Sequence, residues 1–353
     1  MYPALAVVQT LANNTEVLWV GSEGGMESTL VQRASIPYES IPAAGLHGVG
    51  IVKMPKNLYL LMKGLLASKR ILKQFNPDVV FFTGGFLAVP MAFAARNTPI
   101  VLFTPDIEPG MAIKTIVRFS DVIATTSIKT REYFNSNAKV IETGYPVRHS
   151  LETWTKKNGR EHFTIKGKKP VVLFFGGSKG ARSINQAVSR NVEALLEFAE
   201  IIHISGELDW EEIERTSKSL SLEKSLGYHC FPYLHEDMGA ALASADLVVS
   251  RAGASILGEY PMFSLPAILV PYPHAWRYQS VNAEYLVEKG AAVMLEDSKL
   301  GTELVPTIKQ LINDPEQLTK MRNSMQSLFK PGAARMIADQ LVSLAGNRST
   351  NRD

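Results

Sequence analysis

The stretch Val171-Val172-Leu173-Phe174-Phe175-Gly176-Gly177-Ser178-Lys179-Gly180-Ala181-Arg182 decides the architecture of this chain. Five consecutive apolar residues read as a strand buried on both faces. The glycines that follow let the backbone turn sharply and approach a ligand without Cβ clashes. Ser183 to Leu196 then carries a helical pattern. A strand, a glycine turn and a helix start together present unpaired N–H donors and about half a positive charge to an anion. The Lys-Ser/Thr ending of a P-loop is absent, so a nucleotide triphosphate cradle of that kind is not expected.

The same logic recurs along the chain. Asp246-Leu247-Val248-Val249-Ser250-Arg251-Ala252-Gly253-Ala254-Ser255 is a second strand and glycine turn, with Glu259 one helical turn into the following helix. A carboxylate in that position suits two ribose hydroxyls. Pro271 to Ala283 follows another strand, and its Gln279 can both donate and accept hydrogen bonds. In the first half, Phe82-Thr83-Gly84-Gly85-Phe86 is a further glycine turn after a strand. Other strands are expected at Val17 to Val20, Val79 to Phe82, Ile100 to Phe103, Val122 to Thr125, Val140 to Thr143, Ile201 to Ile204 and Ala267 to Val270. Helical patterns such as Leu58 to Phe75 lie between them, so the strands form parallel sheets covered on both faces.

At 353 residues the chain is too long for one ordinary core and fits two α/β domains. The polar stretch Leu151 to Lys169 reads as a linker between a first domain at 1–150 and a second at 165–330. Residues 331–353 read as a closing helix and tail. Glycine loops at the C-terminal ends of parallel strands in both halves are expected to face a shared cleft.

Composition excludes several functions. A net charge of only +3 argues against nucleic acid as partner but allows contact with an anionic membrane surface. One cysteine, Cys230, rules out an intrachain disulfide and a cysteine zinc site. The histidines at 47, 149, 162, 203, 229, 235 and 274 lack metal-ligand spacing, and no Asp-x-Asp motif occurs, so no metal and no cofactor are expected. No apolar run is long enough to span a bilayer. Leu58 to Lys73 interleaves apolar and basic residues, which suits either packing on a sheet or docking on an anionic membrane.

With these residues in view, the chain resembles the MurG-like members of glycosyltransferase family 28. The resemblance covers nearly the whole chain. It rests on Gly-Gly-Ser-x-Gly-Ala-Arg at 176–182 with Asn185 and Gln186, on Ser250 to Ser255 with Glu259, and on Gln279-x-x-Asn282-Ala283. Gly84-Gly85-Phe86 and Gly144-Tyr145-Pro146-Val147-Arg148 add to it. It implies a GT-B fold of two Rossmann-like domains facing a cleft. It also implies inverting transfer of N-acetylglucosamine from UDP-N-acetylglucosamine to a lipid-linked MurNAc-pentapeptide on undecaprenyl pyrophosphate. The implied place is peripheral, at the cytoplasmic face of the membrane, in peptidoglycan synthesis.

The resemblance also implies residue roles. Ser178, with Gly177 and Gly180 around it, would contact the donor diphosphate, and Glu259 would hold the ribose. Arg148 would lie near the nucleotide. The backbone near His235 would read the uracil beside Met238. Ala254 and Gln279 would contact the hexose, and Asn185 would help line the donor side. Two departures from the family pattern bear on the acceptor. The family's His-Glu-Gln-Asn segment is replaced by Phe103-Thr104-Pro105-Asp106 with Glu108 close behind, so Asp106 and Glu108 are either the catalytic carboxylates on the acceptor side or ordinary loop acids. Arg277-Tyr278 stands where the family has Asp-His. The chain opens directly on a helix with Pro3 in its first turn. It is therefore expected to lack the family's first strand and the Gly-Gly-Thr-Gly-Gly-His loop, whose histidine would be the base, because its start has been set too late. Two rival readings share the fold. One is a nucleotide-sugar epimerase, which needs no acceptor. The other is a donor-binding relative without turnover.

Overall fold

A computed structural model describes residues 1–25, 27–42, 54–177, 180–274 and 277–349, with residues 347–349 described by their backbone only. The chain divides into two compact units, residues 1–148 with 330–353, and residues 149–329.

The first unit runs α1 (Tyr2–Val8), β1 (Trp19–Ser22), α2 (Glu27–Arg33), β2 (Tyr38–Ile41), α3 (Met54–Phe75), β3 (Val80–Phe82), α4 (Ala88–Ala94), β4 (Ile100–Thr104), α5 (Met111–Ile116), β5 (Val122–Thr125) and β6 (Val140–Glu142). Pro3 stands in the first turn of α1, where a missing N–H costs nothing. Strands β3 to β6 form one parallel sheet in sequence order, and β1 pairs with β2 in parallel. Every residue of β4 is buried, as its unbroken Ile-Val-Leu-Phe run requires in a sheet covered on both faces. Phe82, Ile100 and Leu102 pack there against Met91 of α4 and Ile113 and Ile116 of α5.

The second unit runs α6 (Lys156–His162), β7 (Val171–Phe175), α7 (Arg182–Leu196), β8 (Glu200–Ile204), α8 (Trp210–Ser219), α9 (Leu222–Ser225), β9 (Tyr228–Phe231), α10 (Met238–Ser244), β10 (Leu247–Ser250), α11 (Ile256–Phe263), β11 (Ala267–Leu269), α12 (Tyr278–Glu288), β12 (Ala292–Met294), α13 (Leu300–Ile312) and α14 (Pro315–Ser327). Its six strands are parallel in the order β12-β11-β10-β7-β8-β9. The chain winds outward from β7 to one edge, returns, and winds from β10 to the other. The order therefore reverses between β7 and β10, the place where doubly wound sheets open a crevice at their C-terminal ends.

Three strands escaped the sequence reading, β2, β9 and β12. Each lies at a sheet edge, and none carries a long apolar run. An edge strand need not be apolar throughout, so its sequence signal is weak.

The stretch expected as a linker is in part a helix. Thr155 caps α6 reciprocally: its backbone N–H donates to Asn158 Oδ1 at 2.6 Å, and its hydroxyl accepts from the Asn158 N–H at 3.3 Å. Gly159 lets α6 lie close on α10, since a Cβ there would stand 2.7 Å from both the Ala240 carbonyl and the Ser244 hydroxyl. The C-terminal segment, set apart from both domains in the sequence reading, forms α15 (Ala333–Ser349) and joins the first unit, packing on α1 and β4. Among the described residues no helix is long and apolar enough to cross a membrane.

Candidate functional site

The loops after β7, β10 and β11 leave neighbouring strands on the C-terminal side of the second sheet. After β7 the chain turns through Gly177 at φ 86° and Gly180 at φ 75°, both conformations that L side chains rarely adopt. Gly180 N–H closes the turn on Gly177 O at 2.9 Å. A Cβ on Gly180 would run into the Ser205 carbonyl, whereas one on Gly177 would meet open space. Gly180 is thus fixed by packing, whereas Gly177 borders open space. Ser178 lies outside the described residues, as do Lys179 and His47.

After β10, Gly253 also faces open space, and Ala254 is half-buried beside it. Glu259 sits in the first turn of α11 and is buried, at 8 % exposure. Its neighbour Tyr260 is fully buried and shares a 2.5 Å hydrogen bond with Ser250 at the end of β10; burial pushes the Tyr260 hydroxyl pKa far up.

Arg251 holds the loops together, a role the sequence reading did not assign. Its Nη1 donates to Val270 O at 3.1 Å, to Pro271 O at 3.3 Å and to Asp297 Oδ1 at 2.5 Å. Its Nη2 donates to Ser183 Oγ at 2.8 Å, and Ser183 in turn donates to Asp297 at 2.6 Å. The guanidinium also stands 5.3 Å from the Tyr272 ring centroid. One planar fork thus links the start of α7, the loop after β11 and the turn after β12. The only sequence signal was an arginine at the end of a buried strand, and its partner Asp297 is 46 residues away.

Gln279 accepts the Tyr272 N–H at 2.9 Å through its side-chain oxygen. Its acceptor therefore serves the loop. Its amide NH₂ has no protein partner among the described residues and is what remains for a ligand. Asn282 Nδ2 donates to Ala252 O at 3.2 Å, joining α12 to the loop after β10. His274, exposed, meets the Tyr272 ring edge-on at 5.5 Å. His235 is exposed on the loop after β9, with its ring 4.6 Å from that of Tyr233, and Met238 opens α10 just beyond it.

One expected site residue is corrected. Asn185 is 1 % exposed, and its amide is fully engaged inside the fold. It donates to Ser205 O and to Asp209 Oδ2, both at 2.8 Å, and its oxygen lies 3.0 Å from His203 Nε2. It braces α7 against the end of β8 and lines no open surface. Glu108, the other candidate acid of the first unit, is buried with one carboxylate oxygen 3.4 Å from Lys114 Nζ. Asp106, half-buried in the loop after β4, is the acid of that pair with access to solvent. Arg148 ends the first unit with its guanidinium 4.4 Å over the ring of Tyr2. Among the described residues no three His, Cys, Asp or Glu are grouped to hold a metal ion.

The chain is similar to known proteins along most of its length. The glycosyltransferase family 28 N-terminal domain matches residues 1–125, and the family's C-terminal domain matches residues 171–337. A protein of Roseiflexus sp. (strain RS-1), named UDP-N-acetylglucosamine--N-acetylmuramyl-(pentapeptide) pyrophosphoryl-undecaprenol N-acetylglucosamine transferase, is 36% identical over 94% of this chain and 84% of its own. A protein of the same name from Listeria welshimeri is 31% identical over 98% of this chain and 96% of its own. The crystal structure of Acinetobacter baumannii MurG superposes with a TM-score of 0.76 at 26% identity, covering 97% of this chain and 95% of that one. A UDP-GlcNAc 2-epimerase from Neisseria meningitidis reaches a TM-score of 0.67 at 15% identity, a likeness of fold alone. Matches in both halves, and relatives above 30% identity over nearly all of the chain, make it a member of glycosyltransferase family 28, a UDP-sugar-dependent enzyme on two Rossmann-like domains.

Proposed function

We propose that this chain transfers N-acetylglucosamine from UDP-N-acetylglucosamine to the MurNAc-pentapeptide of an undecaprenyl-linked acceptor, with inversion, in peptidoglycan synthesis. The observation that carries this reading is the pair of glycine turns leaving β7 and β10, where the strand order reverses, with Glu259 in the first turn of α11.

In this reading the second unit binds the donor. The turn at Gly177, Ser178 and Gly180 receives the diphosphate at the N-terminus of α7, and Glu259 accepts hydrogen bonds from the ribose hydroxyls. The loop at His235 and Met238 reads the uracil through its backbone. Ala254 and the Gln279 amide face the hexose. An acceptor hydroxyl attacks the anomeric carbon as the bond to the UDP oxygen breaks. Charge gathers on the leaving diphosphate, where the helix N-terminus is already oriented to stabilise it. Asp106 is the candidate acid–base group of the first unit.

The acceptor is a lipid, so the enzyme has to meet a membrane surface. Met54, Leu58, Met62 and Leu66 repeat every four residues along α3 and are exposed, with Tyr59 beside them. Lys56, Lys63, Lys69 and Arg70 border this stripe. The inward face of α3 buries Gly64, Ser68 and Ile71. An outward apolar stripe with a basic border suits the surface of an anionic bilayer, and we place the protein peripherally at the cytoplasmic face.

Purified protein incubated with UDP-N-acetylglucosamine is expected to release UDP only when the undecaprenyl-linked acceptor is present. Interconversion of the UDP-sugar in the absence of acceptor would replace this reading with the epimerase. Donor binding without UDP release in the presence of acceptor would replace it with the non-catalytic relative.

A further inference from the structure

Away from the donor loops, the second unit holds a groove of about 380 Å³ between α6 and α14. Pro170, just before β7, and Asp246, just before β10, line it, so it lies at the N-terminal end of the sheet. The donor loops leave the other end of the same strands, roughly 13 Å away along a four-residue strand.

Four cations line this groove: Lys156 and Arg160 on α6, Lys168 before β7, and Arg322 on α14. Asp246 is the only acid among the lining residues. It accepts the Val171 N–H at 3.0 Å and Arg160 Nη2 at 3.1 Å, pairs with Lys156, and stands 3.7 Å from Arg322. One carboxylate cannot balance four cations. Arg160 also donates to the Gly167 and Lys169 carbonyls, at 3.5 and 3.3 Å, whereas Lys168 is exposed and has no partner among the described residues. Ile312 and Leu318 supply an apolar floor. Convergent donors of one sign over an apolar floor, in a groove of this volume, fit a small phosphorylated ligand.

We propose that this groove is a second anion site, independent of the donor loops, which takes a phosphoryl or diphosphoryl group. The test is calorimetric titration of the full chain with inorganic pyrophosphate, first alone and then after saturation with UDP. Pyrophosphate is expected to bind the UDP-saturated protein and to weaken steeply as salt rises. The double substitution Lys168→Gln with Arg322→Gln is expected to weaken that binding about tenfold or more and to leave UDP affinity unchanged, which also reports that the unit is folded. Absence of binding to the UDP-saturated protein, or equal pyrophosphate affinity in the double variant, overturns the proposal. Competition by phosphatidylglycerol vesicles would assign the site to lipid headgroups, and its absence to soluble phosphates; either result upholds an anion site.

Discussion

Arg251 and Glu259 do different work at the same loop, and two substitutions separate them. Arg251 makes four hydrogen bonds that join three loops. Lysine cannot reproduce that planar fork. Arg251→Lys is expected to destabilise the second unit by about 2 kcal/mol and to weaken UDP binding about tenfold as the loops lose their register. Urea unfolding and calorimetry read the two effects, and unchanged UDP affinity would deny Arg251 its positioning role. Glu259→Gln keeps the shape and loses the charge. It is expected to raise the donor KM roughly tenfold, as loss of a charge-assisted hydrogen bond does. It should also erase the preference for UDP over 2′-deoxy-UDP. A variant that still prefers UDP would remove Glu259 from the ribose.

At the scale of elements, β8 carries a buried histidine that makes the second unit sensitive to acid. His203 is fully buried, with Nδ1 2.8 Å from the Tyr228 hydroxyl on β9 and Nε2 3.0 Å from Asn185 on α7. Burial lowers its pKa from 6.5 to about 3, so the folded protein keeps it neutral. Below 6.5 the unfolded chain takes up a proton that the folded one refuses. Stability therefore falls as pH drops from 6.5 toward 3, by up to about 1.4 kcal/mol per pH unit from this group. Above that window its contribution is flat. His203→Gln should be less stable at neutral pH and should show a shallower loss on acidification, read from urea midpoints across the window.

Helix α3 makes a prediction of the opposite kind, because its outward residues hold nothing in the fold. Leu58, Met62 and Leu66 are more than half exposed. Changing all three to Gln is expected to leave the melting temperature within a degree or two. It should cut sedimentation with phosphatidylglycerol vesicles by at least about tenfold, since each buried side chain contributes up to roughly 1.5–3 kcal/mol. Turnover of a water-soluble acceptor analogue should survive. Vesicle binding equal to that of the unchanged protein would remove α3 from the membrane contact.

For the whole molecule, the chain leaves the first unit at Arg148 and re-enters it at Lys330. Ile337, Ala338 and Leu341 of α15 are buried, and the helix packs on α1 and β4. A chain ending at Phe329 is therefore expected to lose stability in the first unit while still binding UDP through the second. Scanning calorimetry should show the first unit's transition lowered and the second's preserved. Equal loss in both would mean that α15 supports the molecule as a whole.

The sequence by itself determined much of this protein. Strands buried on both faces announce themselves as apolar runs, which is why β4, β7, β8 and β10 could be read directly. Glycine turns show themselves because few other residues tolerate a positive φ, and a carboxylate one turn into a helix keeps its spacing from strand to site. Tertiary structure alone decided the rest. Edge strands carry little apolar signal, so β2, β9 and β12 emerged only on pairing. Whether a polar side chain faces a ligand or the interior depends on neighbours far away in sequence. Asn185 is saturated by Ser205, Asp209 and His203, and Glu108 is buried against Lys114. Arg251 gained its role from Asp297, and the basic groove from Lys156, Asp246 and Arg322. Local pattern fixes what a segment becomes; partners brought together by folding fix what its polar groups do.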